Sequence, residues 1–400
     1  MSIKMLVEAA LRVHNPRPCT RENLTIIHHE IVRLEKTVQG LLDFTRPPAL
    51  QRSVRDLREV VDAALALVRT RARQQNVQID SAFPEQAVAG HVRIGWDSPV
   101  SEVVNPGFIE LNGRAGLGWL EGFNEMVTRC GYAWVGHPGM DKGAPLSLHG
   151  LASNIPASKV VLSISQQPPY TIKLKGELKE QAFKLVNFII ATELSTEAGA
   201  QHFSLHDTLT NNGDYSNEYQ ALYHCNFGPP LLDMGARFSA PVQQVSPFND
   251  KAAGELSDWQ TYREPTRDYD ETVYNVIPYG DENGQTLAVL HNAAGELGIS
   301  LGFNIQQLPV FSLWKNTDTV GQGYVTGLEP GTSWSYNRSY QRALNRVPTI
   351  GAKEQRHFDI TYTFLADKTA VDNSLQQVQK IQHQRPTEVR KSPLVDLPKG

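Results

Sequence analysis

Two hydrophobic rhythms divide this chain. Leu24, Ile27, Ile31, Leu34, Val38 and Leu41 recur in alternating steps of three and four, the spacing of an apolar seam along one helix face. Thr20 suits the N-cap of that helix, and Pro47 with Pro48 stops it. An earlier stretch, Ile3–Val13, predicts a short helix folding back across the Asn15-Pro16-Arg17-Pro18 turn. A further helical stretch, Val54–Gln75, sets Leu57, Val61, Ala64, Leu65 and Val68 on one face, and a short strand, Val77–Ser81, follows. From Arg93 the rhythm shortens to alternation. Runs such as Tyr170–Leu174, Lys184–Glu193, Val273–Pro278, Thr286–His291 and Phe358–Leu365 read as strands between turn signals like Gly280-Asp281-Glu282-Asn283-Gly284. The pattern predicts a mainly β body with no sustained helical periodicity, built as a large β-sandwich rather than from βαβ units. From about Gln376 the chain turns polar, and Pro386, Pro393 and Pro398 predict a flexible tail over residues 373–400.

Composition sharpens the same division. Residues 1–92 hold only Phe44 and Phe83 of the aromatics and only Gly40 and Gly90 of the glycines. They carry 13 Lys+Arg against 10 Asp+Glu, leaving 25 against 32 for the body and a net charge of −4 overall. That mild acidity offers no electrostatic case for a nucleic-acid partner. No run of about 18 apolar residues is present to span a bilayer, and the amphipathic N-terminus lacks the features of a signal peptide. Cys19, Cys130 and Cys225 are odd in number and far apart, which favours a reducing, cytoplasmic setting over a disulfide framework or zinc ribbon.

Standard nucleotide and metal signatures are missing. There is no Gly-x-x-x-x-Gly-Lys-Ser/Thr motif, and the Gly113/Gly116/Gly118 cluster does not follow a strand and open a βαβ helix. His-Glu-x-x-His is absent and the 12 histidines show no ligand-like spacing, so neither metal nor cofactor is expected. Three segments instead set an ionisable side chain among Gly and Pro: Leu148-His149-Gly150, Tyr223-His224-Cys225-Asn226-Phe227-Gly228-Pro229-Pro230, and Gly327-Leu328-Glu329-Pro330-Gly331. Two imidazoles and a carboxylate make a minimal general acid/base set at neutral pH. Spacing alone does not say whether they converge.

Two resemblances add to this reading. The run HHEIVRLEKTVQGLLDFTRPPALQ and the following VRDLREVVDAALALVRTRARQQNVQIDSAFPEQAVAGHV resemble a sensor histidine kinase. The likeness places a dimerisation hairpin at residues 1–50 and the truncated start of an ATP-binding domain at residues 51–92. His28 and His29 lie on the second helix and do not match the family's phosphoacceptor, and the nucleotide-binding boxes do not follow Val92. The resemblance therefore implies no kinase activity, and at most a homodimer through the N-terminal helices.

The body resembles the galactose-mutarotase-like (aldose 1-epimerase-like) family. The segments IGWDSPVSEVVNPGFIELNGRAGLGWLEGFNEMVTRCG, LSLHGLASNIPA, ALYHCNFGPPLLDMGARF, LPVFSLWKNTD and GYVTGLEPGTS carry the likeness across about residues 93–370. It implies a galactose-mutarotase-like β-sandwich (a supersandwich) over residues 93–372, lacking its first strands. It also implies interconversion of sugar anomers by ring opening, with a small-molecule sugar as the ligand. Carried over residue by residue, His149 contacts the sugar, His224 is the general acid toward the ring oxygen, and Glu329 is the general base on the anomeric hydroxyl. Asn154, Asp233, Arg237, Trp314 and Lys315 lie in the same motifs and are expected near the substrate, while Trp119, Trp134 and Trp314 are candidates for an apolar platform under a sugar face. The other readings are a carbohydrate-binding protein without turnover and an inactive remnant of a two-component sensor.

Overall fold

Alternation becomes strand where the sequence expects it. The structure, a computed structural model, describes residues 95–100 and 106–397. The helices, the Val77–Ser81 strand and the kinase-like segment expected before Arg93, together with the homodimer they would support and the expected lack of the sandwich's first strands, concern residues outside those described. One sheet has seven strands, in the order β1 (Val127–Tyr132), β9 (Gln220–Phe227), β16 (Val325–Gly331), β15 (Val310–Asn316), β12 (Thr272–Pro278), β11 (Val242–Pro247) and β19 (Glu388–Val389). The other has eight, in the order β10 (Arg237–Ser239), β13 (Gln285–His291), β14 (Gly298–Asn304), β18 (Gln355–Leu365), β7 (His202–Asn211), β6 (Asn187–Glu197), β5 (Thr171–Gln181) and β4 (Lys159–Ile164). Two short ladders, β2 (Gly139–Asp141) with β3 (Ala144–Leu146) and β8 (Asn217–Glu218) with β17 (Thr349–Ile350), complete the set. Helices α1 (Asp250–Gly254) and α2 (Arg338–Ala343) are short, and α3 (Lys368–Gln382) is long. This is the mainly β, galactose-mutarotase-like sandwich.

One strand begins later than its sequence pattern. Lys184 adopts φ +62°, and Ala182 N donates to Val186 O at 2.9 Å, so Phe183–Val186 close the β5–β6 hairpin before β6 starts at Asn187. Alternation cannot tell a tight turn from a strand start when the turn residues are themselves apolar.

The two sheets share a core in which Tyr223, Cys225, Phe227, Leu313 and Leu328 meet residues such as Ile190, Leu205, Leu209, Ile299 and Ile360. A buried ion pair crosses it. Arg129 Nη1 on β1 reaches Asp207 Oδ1 on β7 at 3.5 Å, and the hydroxyls of Tyr132 and Tyr223 donate to Asp207 Oδ2 at 2.8 and 2.9 Å. The phenols fill acceptor sites that burial would otherwise leave empty. The opposite face of the seven-stranded sheet is covered as well. Trp96, Trp119, Phe123, Val135 and Leu148 pack there on Cys130, Leu222 and Val325.

The segment expected as a flexible tail is ordered for most of its length. Asp367 caps α3 by accepting from Ala370 N at 2.8 Å. Val371, Val378 and Ile381 form an apolar stripe that packs on Leu287, Val289 and Leu365, the outer face of the eight-stranded sheet. Their spacing of seven and three residues is helical, but the surrounding glutamines mask it. Beyond the helix, β19 adds in parallel to β11, with Gln244 beside Glu388, and covers an edge that would otherwise be open. Ile381→Ala is accordingly expected to lower unfolding free energy by about 2–4 kcal/mol in urea titration; an unchanged midpoint would show that α3 adds nothing to the sandwich.

Candidate functional site

The site begins with a constraint on β9 and β16. Every residue of both strands is buried, so polar side chains on either face need partners within the protein. The strand registers set those side chains in one row. Thr128 on β1 pairs with His224 on β9, and the match of Cys225 with Leu328 brings Glu329 alongside His224. Glu329 pairs with Ser312, Ser312 with Asn275, and Asn275 with Ser246. All of these side chains are buried.

At the centre of the row, His224 Nε2 lies 3.2 Å from Glu329 Oε1. On its other side, His224 Nδ1 lies 2.7 Å from Asn226 Oδ1. Ser335 Oγ donates to Glu329 Oε2 at 3.2 Å. Gly327 makes room for the pair: a Cβ there would fall 2.6 Å from Glu329 Oε1 and 2.9 Å from His224 Cε1. Asn226 and Gly327 each sit two residues from a predicted site residue on the same strand, hence on the same face. That period-two signal was present in the sequence and would have found both.

His149 arrives from a loop. His149 O accepts from Gly131 N, and Leu151 N donates to Gly131 O, so Leu148-His149-Gly150 docks along the outer edge of β1. His149 and Gly150 have φ of +56° and +79°, and a Cβ at Gly150 would fall 2.3 Å from Trp134 O; only glycine fits the second position. The turn sets the His149 ring 5.6 Å from that of His224. Its Nδ1 is buried without a hydrogen-bond partner. Aromatic rings cover the group: Trp119 lies 4.9 Å from His149, while Phe123 and Trp314 lie 5.1 and 5.3 Å from His224. Phe123 drew no attention as a sequence feature, because an isolated Phe in a loop carries no periodic signal.

Burial controls the charge states. It pushes Glu329 up to about 8, an effect that the Ser335 hydroxyl partly offsets. It pushes His224 down to about 4, with the Asn226 hydrogen bond opposing it. His149 lies well below the ordinary imidazole range, mainly through burial and secondarily through its two histidine neighbours, His224 and His137. Burial thus favours the uncharged form of each of these groups.

The remaining expected residues divide. Trp314 stands in the aromatic cover, and its indole donates to Glu271 Oε2 at 2.7 Å. Asn154 is one step removed: its amide donates to Ser153 Oγ, which also accepts from Trp119 Nε1. Trp134 is not in the cover; its indole donates to Ser147 O and braces the loop. Lys315 follows Trp314 on β15 and so points to the other face. There its ammonium donates to the carbonyls of Asp258, Trp259 and Thr261, and burial lowers it to about 8. Arg237 is exposed on β10 of the other sheet, and Asp233 accepts from Ala293 N. Motif membership placed Lys315, Asp233 and Arg237 near the site; strand parity turns Lys315 to the other face, Arg237 belongs to the other sheet, and Asp233 is tied through Ala293 to the loop after β13. A cavity of about 710 Å³ at the β5–β6 hairpin, lined by Phe183, Lys184 and Tyr215 among others, shares no residue with the pair. Among the described residues no group of three or more His, Cys, Asp or Glu is placed to hold a metal ion, and no helix is long and apolar enough to cross a membrane.

These shifts carry a stability signature. Glu329 is raised above its unfolded value of 4.5, so its contribution is full below that pH and lost as pH rises through about 8. His224 is lowered from 6.5, so its contribution is full above that pH and lost as pH falls through about 4. The two slopes oppose between 4.5 and 6.5, and above 6.5 only Glu329 acts. Glu329→Gln is expected to flatten the decline of the urea midpoint from about pH 6.5 to about pH 9; an unaltered slope would mean that the carboxyl is not held protonated.

A domain of unknown function, DUF4432, matches residues 76–364. That match starts upstream of Arg93, so residues 76–92, expected from sequence to belong to the kinase-like segment, fall inside the family match instead, and no comparison supports a kinase fragment. The chain is 50% identical to a candidate aldose 1-epimerase of known structure from Klebsiella pneumoniae subsp. pneumoniae MGH 78578; the likeness covers 76% of this chain and 79% of that one, with a TM-score of 0.75. A galactose mutarotase related enzyme from Lactobacillus acidophilus is 12% identical over 60% of this chain and 82% of its own, with a TM-score of 0.42. A candidate aldose 1-epimerase from Escherichia coli K12 is 11% identical over 60% and 84%, also at a TM-score of 0.42. No functionally curated protein matches the chain. With the match taking in well over half its length, the chain belongs to the DUF4432 domain family.

Proposed function

We propose that this protein interconverts the anomers of an aldose, a hexose or a hexose derivative, by general acid/base ring opening. One observation carries the reading: a buried imidazole and carboxyl, His224 and Glu329, 3.2 Å apart on neighbouring strands. Mutarotation needs one proton delivered to the ring oxygen and one removed from the anomeric hydroxyl. The two oxygens are bonded to the same carbon, so two adjacent groups of this kind can serve both. After opening, rotation about C1–C2 and reclosure give the other anomer, and the pair returns to its starting state. Shielding from water strengthens the electrostatic interactions that hold the pair.

His149 supports the same reading. Its unpartnered buried Nδ1 leaves a polar atom for a sugar hydroxyl to satisfy. Trp119, Phe123 and Trp314 offer ring faces to the apolar side of a pyranose. His224 and Glu329 are only 5% and 2% exposed, so substrate entry displaces part of this aromatic cover. The carbohydrate-binding reading without turnover uses the same cleft, and the comparison of variants separates the two. A cytoplasmic setting belongs to the same proposal.

Polarimetry or NMR exchange over a panel of aldoses is expected to show accelerated anomer interconversion. His224→Ala and Glu329→Gln should each lower kcat by about 100-fold or more. The kcat profile should hold a plateau bounded by limbs near about 4 and about 8, the values to which burial moves the two groups. Sugar binding without acceleration on any aldose would identify a binding protein instead. Full activity in both variants would remove the pair from the chemistry.

A further inference from the structure

The row that holds His224 and Glu329 has a neighbour on the same face of the seven-stranded sheet. Two residues along the strands, Gly327 on β16 pairs with Trp314 on β15, and Trp314 pairs with Val273 on β12. Phe248, just beyond β11, donates its N–H to Val273 O at 2.9 Å and extends this second row. Together they form a floor beside the pair. Three strand spacings separate β16 from β11, about 14 Å at roughly 4.8 Å each. A pyranose is about as wide as one such spacing, so the floor runs well past a single ring seated between His224 and Glu329.

His137 stands over the far end of that floor. Its N–H donates to Ser335 O at 2.8 Å, and its carbonyl accepts from Asn337 Nδ2 at 3.2 Å. The preceding carbonyl, Gly136 O, accepts from His149 N at 3.0 Å. The backbone is thereby anchored both to the loop that brings His149 and to the loop that brings Ser335. The ring stacks on Phe248 at 4.9 Å and 30°, and Phe248 stacks on Tyr336 at 4.3 Å and 13°. Among the described residues nothing hydrogen-bonds the imidazole nitrogens of His137. Burial lowers this imidazole, with Glu271 opposing the effect, and a neutral ring donates from one nitrogen and accepts at the other.

Solvent reaches the site from the same side. His149, His224, Glu329, Trp119 and Phe123 are buried, whereas His137 and Trp314 are half-buried and Glu271 is exposed. Glu271 Oε2 holds the Trp314 indole at 2.7 Å, and its charge acts on both His137 and Glu329. Trp314, Glu271 and His137 therefore border one mouth. A sugar with its anomeric carbon at the pair points its opposite end toward them.

We infer that His137, backed by Phe248, is a specificity-determining residue that holds a second, uncharged sugar unit, attached to the aldose at the end remote from the anomeric carbon. The inference rests on the proposed anomer interconversion for the seat of the first ring. The free imidazole edge suits a hydroxyl that both donates and accepts, and the Trp314 ring offers its face to the apolar side of a sugar. Glu271 sets a carboxyl beside the subsite and so opposes a phosphate or carboxylate substituent. Lys251 on α1 does not offset it, being committed to the carbonyls of Asp270 and Glu271 and to the face of Tyr269.

Polarimetry on the full chain tests this with glucose and with maltose, cellobiose and lactose, which all end in a reducing glucose. The quantity read is kcat/KM for each disaccharide divided by that for glucose. His137→Ala is expected to lower this ratio about 10-fold for the preferred disaccharide, mainly through KM. His137→Phe keeps the stack on Phe248 and removes the hydrogen bonds, so it should lower the ratio in the same way within an intact loop. A ratio unchanged in both variants, or no turnover of any disaccharide while glucose is interconverted, would overturn the subsite and leave the proposed activity standing. Calorimetry of the same sugars in Glu329→Gln, with and without His137→Phe, reads binding apart from turnover. Disaccharide binding that weakens about 10-fold relative to glucose on loss of His137, in a protein that accelerates no anomer exchange, would support the subsite and remove the activity.

Discussion

The structure depends on a sheet that is buried on both faces. β9 and β16 contribute no exposed residue, yet they carry His224, Asn226 and Glu329. A polar side chain in such a place costs stability unless its partners are built in. Here the partners come from the antiparallel registers, which line up Thr128, His224, Glu329, Ser312, Asn275 and Ser246. A one-residue slip of β16 would turn Glu329 into the apolar core and bring Leu328 to the site.

What holds those registers is spread through the fold. On the core side, the Arg129–Asp207 pair and its two tyrosine hydroxyls tie β1 and β9 to β7. Glu180 on β5 accepts from Tyr132 N at 2.6 Å, and its remaining contacts reach Ala133 N. Burial raises that carboxyl to about 6 against the pull of those backbone donors. The loop that follows β1 is thereby stitched across to the second sheet, and the same loop ends in His149. Rigid strands supply the imidazole–carboxyl pair, the loop after β1 supplies His149, and Trp119 and Phe123 of the aromatic cover come from the segment before β1.

The protonation pattern follows from the same burial. Desolvation drives an imidazole and a carboxyl toward their neutral forms in opposite directions of pH. Exposed, the same two groups would hold opposite charges near neutrality and make a surface ion pair of little consequence.

Much of the architecture was legible in the chain. Period-two runs marked β5, β12, β13 and β18, Gly280–Gly284 marked a hairpin turn, and His149, His224 and Glu329 stood out as ionisable groups among Gly and Pro. Local pattern suffices there because strands and turns are short-range events. It failed where distant elements decide. The stripe on α3 is buried only because Leu287, Val289 and Leu365 lie beneath it. Lys315 and Trp314 are neighbours in sequence, but the pleat sends one to a cage of carbonyls and the other to the site. The sequence by itself determined a β-sandwich and singled out His149, His224 and Glu329 as candidate groups. Only the tertiary structure decided that three groups from a loop and two strands meet and which way Asn226 turns, because register and burial arise from contacts between residues about a hundred positions apart.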